Sequence, residues 1–512
     1  MSVTTGTFPG VRIVDMPDLG AVNDSSSMVG ERAGSGRFAA TAFRSYVSSY
    51  IAAGLPWINV RDYGATGGGV TDDTVAINAA YAAVPASGAV VVFPQGTYII
   101  STAIVVGRSN TVTEGCNSEI RTTSATADHF QLVAGVVRLV FRDLSLWATV
   151  AKTAGAGFKA LGTIYESCWY NVQVGSVSNY QALGGQHRLN NGFDFQLGLS
   201  RVYLDPGSIV VTAHNGIIAA SGAELTIDCR ILFCAIGCLL GGAMGGVYFG
   251  GEISQCGTGV LCATTITGAT NREIFFGERS IIDSCTDYAL HIAAGSVSIL
   301  DITGSWFTSA GRVTAGQNVG LFIEAAATFG NARITGARFY NNVGSGLVNA
   351  GMEIAASGCL FDYNGTGAIL EGAGANNSMI DGCKFSSNTT GIIVQNGITF
   401  YQLTNNGVTN NGTAIAGNAI GWTNAAGQVI RGNTGYLTRT NGQAIIANGA
   451  SAATFNHGLP DIPHGAILLT GNQQNHTLAV GTVTATQITV HSDTNVTADL
   501  AFSWEASMGP FA

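Results

Sequence analysis

Between about residues 102 and 435 the chain repeats one hydrophobic pattern. The segments "LTIDCRILFCAIGCLL", "VYFGGEISQCGTGVLC", "IFFGERSIIDSCTDYALHI", "ARITGARFYNNVGSGLV", "MEIAASGCLFDYNGTGAIL" and "MIDGCKFSSNTTGIIV" can be written under one another. Each shows a short apolar strand, a break at Gly or a small polar residue, a second apolar strand, then "N.G" or "C.G" and a third. The spacing is roughly 20 to 30 residues, the range of a solenoid. Such a repeat buries its apolar face only against its neighbours, so a stack of them forms one long core. Leucine-rich and propeller signatures are missing. Cys256, Cys285, Cys359 and Cys383 fit inward stacks, and Asn-Gly steps fit turns that need positive φ.

The pattern changes at both ends. In "GRFAATAFRSYVSSYIAAGLP" the residues Phe43, Tyr46, Val47, Tyr50 and Ile51 recur at helical spacing, and Gly54 and Pro56 end the helix. A short one-faced helix must pack against copies of itself or against the next domain. After about residue 436, "TFNHGLPDIPHGAILLTGNQQNHTLAVGTVTATQITVHSDTNVTADLAFSWEA" alternates apolar and polar positions between turns, which predicts a small antiparallel β-sandwich. His457, His464, His476 and His491 lie there, too far apart for a local metal motif.

The stretch "RDYGATGGGVTDDT" tests three readings. A phosphate loop needs GxxxxGK followed by Ser or Thr, or GxGxxG opening a helix. Here no Lys follows, and the glycines precede Asp72 and Asp73, which would repel a phosphate. A calcium loop needs alternating oxygens and a distal Glu, which are absent. What remains is architecture: Thr71 or Asp72 can cap a helix whose Ala76, Ile77, Ala80 and Tyr81 share a face.

From about Asn59 to Ser101 the unit resembles the entry segment of the pectate-lyase-like superfamily of right-handed parallel β-helices, with "DYGATGGGVTDDT" and "FPQGTY" as its marks. One departure is Gly68, where the family has Asp. There the motif marks the fold and not the active site, which leaves Asp72 and Asp73 to cap and brace. "MPDLGAVNDSSSMVGERAGSGRF" resembles a segment near the start of bacteriophage tail fibre and tailspike proteins, and the C-terminal stretch resembles modules that end many phage tail proteins. The resemblance implies an all-β architecture in three parts. These are a virion-attachment segment with a helix over 1–56, a parallel β-helix over 57–435 with its capping unit at 59–101, and a sandwich over 436–512 that trimerises or binds carbohydrate. It also implies three chains side by side on a virion tail or baseplate, gripping a bacterial surface polysaccharide (capsule, exopolysaccharide or O-antigen) that many members cleave.

Composition narrows the partners. Over 512 residues the net charge is -9, and only Lys152, Lys159 and Lys384 are lysines, so no basic patch for nucleic acid is visible. There is neither a Sec-type leader pattern nor an apolar run long enough to span a membrane, so no membrane insertion is expected. The 10 cysteines show no CxxC pair and read as buried free thiols. No metal or other cofactor is called for.

The family shares no catalytic motif, so the chemistry is argued from residues. Glycoside hydrolysis needs two carboxylates, one protonated and one ionised. "VYFGGE" and "IFFGE" suggest equivalent positions for Glu252 and Glu278, and "ILDITGSW" adds Asp301 one repeat on. Stacked carboxylates would shift each other's pKa values apart. Arg230 and Arg279 fall in the same strip, and Trp306 can stack on a sugar ring. The plainer alternative is a solvated face braced by Glu–Arg pairs between coils. Asp283, Asp287, Glu324 and Asp362 form a weaker set, and "YESCWYN" places Glu166 beside Trp169 and Tyr170 as further substrate contacts. Elimination would need a base and a cation at a uronate, for which Arg230, Arg272 or Arg279 could serve; the scarcity of Lys and of dense Asp clusters favours hydrolysis. A non-catalytic receptor-binding or structural spike of the same fold is the remaining alternative.

Overall fold

The structure is a computed structural model. It describes residues 56–176, 189–263, 272–311 apart from 294 and 296, 318–327, 331–395, 397–417, 428–436, 439–459, 463, 468–471 and 476–507. The predicted helix around Phe43–Ile51 and His464 lie outside the described residues. The chain divides into two compact units, one holding everything up to Asn318 together with Ala326–Gly330, and one holding Val319–Ala325 and everything from Asn331 onward.

In the first unit each coil lays down three short strands on three faces, here A, B and C. Face A includes Leu199–Leu204, Arg272–Phe276 and Ile299–Thr303. Face B includes Ile209–Val211, Arg230–Leu232, Glu252–Ser254, Ile281–Asp283 and Trp306–Thr308. Face C includes Thr258–Cys262 and Tyr288–Ile292. Ala213–Ile227 and Ile236–Phe249 run from face C straight into face A of the next coil. Every pairing between coils is parallel and mostly in register, for example Ile231 beside Ile253, then Ile282, then Phe307. These four side chains are buried. Parallel strands repeat about every 4.8 Å, so a ring in one coil meets a ring in the next at nearly the same spacing: Phe249 and Phe276 stack at 4.6 Å and 8°. The fold is an all-β, right-handed parallel β-helix.

The entry motif works as a brace. The helix Thr74–Ala82 begins at Asp73, whose side chain makes no cap bond. Instead, Asp73 accepts hydrogen bonds from the Thr66 and Gly67 amides at 2.7 and 3.2 Å, clamping the glycine turn. Asp72 accepts from the Thr74 amide at 2.9 Å and from the Ser101 hydroxyl at 2.5 Å, tying the helix start to the next strand. The capping role expected of Thr71 or Asp72 thus falls to Asp72.

In the second unit Phe339, Phe361 and Phe385 stack at 4.7 and 4.5 Å. Beside them runs a buried asparagine ladder. Asn342 donates to the Asn364 side-chain oxygen at 2.8 Å, Asn364 to Asn388 at 3.0 Å, and Asn388 to Asn411 at 2.9 Å. At another corner Cys359 and Cys383 precede Asn406, whose oxygen accepts from the Cys383 amide at 2.9 Å. All cysteines are free and all but Cys116 are buried, so the expectation of buried thiols fails only there. Cys116 sits at the irregularity between Glu114 and Ser118 in the strand Thr111–Thr122, at φ 47 and exposed. The unit ends in two antiparallel three-stranded sheets, one holding Arg439–Ile446 and Leu500–Ser507, the other Ala452–Asn456 and Gln487–Ser492. Ile446, Phe502 and Trp504 from one and Ile488 and Val490 from the other share one core, which makes the pair a sandwich.

The ladder predicts that Asn364→Ala, which leaves Asn342, Asn388 and the Phe339 carbonyl without their buried partner, costs about 3 kcal/mol. The midpoint of urea unfolding measures this, and a change below about 1 kcal/mol would contradict it.

Candidate functional site

The carboxylates of interest gather at the corner between faces A and B of the first unit. Along face A the sequences "VYF" and "IFF" alternate inward, outward, inward. Val247, Phe249, Ile274 and Phe276 are buried, while Tyr248 and Phe275 between them are half-buried. Register places Thr226, Tyr248, Phe275 and Asp301 in one outward column. Tyr248 and Phe275 stack at 4.8 Å and 13°, a flat aromatic strip that leads to a carboxylate. Tyr203, earlier in the column, is buried and donates to Asp228 at 3.4 Å; burial first, then the Asp228 charge, pushes its phenol well above the usual range.

Across the corner, face B carries a second outward column. Ile231 beside Ile253 sets Arg230 beside Glu252, and Glu252 pairs with Ile281 and Ile281 with Trp306. Arg230 Nε lies 2.9 Å from Glu252 Oε2, and the Ser254 hydroxyl donates to Oε1 at 3.1 Å. Glu252 is therefore held by a brace between coils. Trp306, two coils on and about 9–10 Å away along the backbone, is 44% exposed.

The equivalence expected of Glu252 and Glu278 is not found. Phe249 pairs with Phe276, but Glu252 pairs with Ile281. The corner after Phe276 holds two more residues than the corner after Phe249, and Glu278 and Arg279 occupy this longer turn, both exposed. Counting residues from Phe249 to Ile253 and from Phe276 to Ile282 would have revealed the insertion. Asp301 likewise pairs with Phe275 on face A, and the residue of its coil that continues the Glu252 column is Trp306. The structure still brings Glu278 to the Asp301 coil: a Cβ at Gly304 would sit 3.1 Å from Glu278 Cγ. Gly304, at φ 63, is open to glycine without strain and leaves room for that side chain.

Other expectations are corrected by burial. Trp169 is fully buried, stacked on Phe141 at 5.5 Å and 10°, so it is core and not a sugar contact. Tyr170 is buried against Tyr203 at 6.1 Å, and burial, then Cys168, raises its phenol pKa. Glu166 beside them is paired with Arg201 at 2.8 Å. Arg272 is fully buried and donates to the Gly242 and Ala263 carbonyls at 3.0 Å, which removes it as a base at the surface. Of the weaker set, Asp283 is half-buried on face B, one of its oxygens buried without a hydrogen-bond partner; Asp287 and Glu324 are half-buried, and Asp362 belongs to the second unit. The residues missed in the sequence are Tyr248 and Phe275; their signal was the period-two alternation, which puts the middle residue of each triplet outside. Among the described residues no group of three His, Cys, Asp or Glu side chains is placed to hold a metal, and no helix is long and apolar enough to cross a membrane.

The Arg230–Glu252 pair is solvent-exposed, so Arg230→Ala should cost under about 1 kcal/mol, less at high salt; a thermal melt at low and high ionic strength measures it.

Comparison with known proteins agrees with the geometry. Residues 57–244 match a family model described as rhamnogalacturonase A/epimerase, pectate lyase-like. One curated relative, a non-secreted LysM effector of Penicillium expansum, is 49% identical over 57 residues, 9% of this chain and only 4% of the relative's length. Among solved structures, a double mutant of the tailspike protein of E. coli bacteriophage HK620 superposes with a TM-score of 0.54 at 12% identity, covering 91% of this chain and 99% of that one. A mutant of the tailspike protein of the same phage, in complex with a hexasaccharide, gives 0.51 at 11% identity over 91% and 99%. At such identities the likeness speaks for the fold. The chain has a parallel β-helix that resembles the tailspike structures in fold, and residues 57–244 of it match the pectate-lyase-like family model.

Proposed function

We propose that the protein is a phage tailspike that binds and depolymerises a bacterial surface polysaccharide by glycoside hydrolysis. The observation that carries this reading is the outward column Tyr248, Phe275, Asp301, with Glu278 reaching over Gly304 into the same coil. A polysaccharide laid along the coils would stack on Tyr248 and Phe275, with Trp306 on the far side of the corner. Glu278 and Asp301 then serve as the acid and base pair, one protonating the glycosidic oxygen and the other activating water or attacking the sugar. Glu252 acts beside them as a bracing residue, paired with Arg230 and hydrogen-bonded by Ser254. This chemistry uses no cofactor. Arg230 and Arg279 would read hydroxyls at the rim.

In the same reading three copies stand side by side on the virion tail, attached through residues 1–56. Leu161 and Leu197, 39% and 59% exposed at the turn between faces C and A, with Tyr165 at 37%, form the apolar strip that favours contact between copies. Light scattering should therefore give three chain masses, and a single chain's mass would count against it.

Elimination is favoured only by Arg279, an exposed cation beside Glu278. Host polysaccharide incubated with the protein distinguishes the routes: new reducing ends without ultraviolet absorbance mean hydrolysis, and absorbance from an unsaturated sugar means elimination. Glu278→Gln and Asp301→Asn should each lower the rate by roughly 100- to 10,000-fold without changing the melting temperature. Full activity in both variants would remove the assignment, and no cleavage of any host glycan by the unaltered protein would leave the non-catalytic spike.

A further inference from the structure

The second unit carries an outward surface of different character. Three stacked strands, Arg338–Tyr340, Leu360–Asp362 and Lys384–Ser386, set Arg338, Leu360 and Lys384 in one column and Tyr340 and Asp362 in the next. The chain leaves each strand through one residue in the left-handed region: Asn341, Tyr363, Ser387, and then Asn410 after the following strand, all with φ of 58 or 59. Asn suits that conformation, and earlier coils turn the same corner with Phe233, Gln255, Ser284 and Ser309 at φ 53–58. Tyr363 occupies it too and is 59% exposed.

One neighbour packs against the ring. Tyr363 meets Tyr340 edge-on at 5.7 Å and 77°. The Arg338 guanidinium lies 4.6 Å over the Tyr340 ring and 3.9 Å from Asp362. Lys384, one of three lysines in a chain of net charge -9, is exposed two coils along from Arg338, with the half-exposed Leu360 between them. An exposed aromatic ring with cations on the strands beside it is the chemistry that takes a pyranose ring on its face and a carboxylate at its edge.

We propose that this patch is a second, non-catalytic binding platform for an acidic segment of a glycan, with a sugar ring on Tyr363 and its carboxylate at Lys384. The platform is independent of the cleavage chemistry proposed for the first unit. Its tyrosine offers a ligand a ring that is 59% exposed.

The test uses the full chain on an array of acidic and neutral bacterial polysaccharide fragments. Tyr363→Asn installs the residue found at Asn341 and Asn410, so the fold should be kept and the melting temperature unchanged or raised. It should weaken retention of acidic fragments at least tenfold while leaving reducing-end release from short fragments unchanged. Lys384→Gln should weaken acidic fragments and spare neutral ones. Equal retention by Tyr363→Asn and the unaltered chain, or no acidic fragment retained by the unaltered chain, overturns the platform whatever the cleavage assay gives. A changed oligomeric mass in Tyr363→Asn also overturns it, by making the patch an interface between copies. Loss of cleavage in Glu278→Gln with retention intact would keep the two sites separate.

Discussion

Parallel strands held by backbone hydrogen bonds repeat at about 4.8 Å, and everything else in the solenoid follows from that pitch. A side chain pointing inward has one neighbour above and one below at almost its own position, so each inward column must be filled by residues that pack on their own kind. Phenylalanines do so as flat stacks at 4.5–4.7 Å. Asparagines do so as a ladder in which each amide donates to the next carbonyl. Because Asn342, Asn364 and Asn388 are buried, one of them replaced alone leaves partners with no water to turn to, which is costlier than the loss of one exposed hydrogen bond. The columns are therefore cooperative along the stack.

This constraint explains how far the sequence could be read. Repeats bury similar residues, so the segments ending in "GTGVLC", "GSGLV", "GTGAIL" and "TGIIV" align by eye, and Cys256, Cys285, Cys359 and Cys383 fall inside as their alignment implies. The entry unit was legible for another reason: its two aspartates have specific hydrogen-bond duties to backbone amides, and such duties require particular residues at particular places. Outward residues carry no comparable requirement. Glu252 and Glu278 look alike in sequence because both follow a Phe-Gly step, but corner length sets their register. Two extra residues at one corner separate them. Trp169 was misread through parity: it continues the inward alternation of its strand, and its aromatic character made it look like a ligand contact when it fills the column above Phe141.

Residues that depart from the repeat separate bracing from function. Arg230 and Glu252 conform: they occupy matching outward positions in adjacent coils, satisfy each other at 2.9 Å, and do what charges on a solvated strand commonly do. Glu278 does not conform. It lies in an insertion that no packing requirement explains, and it reaches toward a neighbouring corner kept open by a glycine in the left-handed region. Tyr363 departs in exposure: its ring is 59% exposed at a left-handed corner that the adjacent coils turn with Asn341 and Ser387. In a scaffold whose interior enforces repetition, a binding or catalytic residue has to be sought among the exposed positions where repetition is broken.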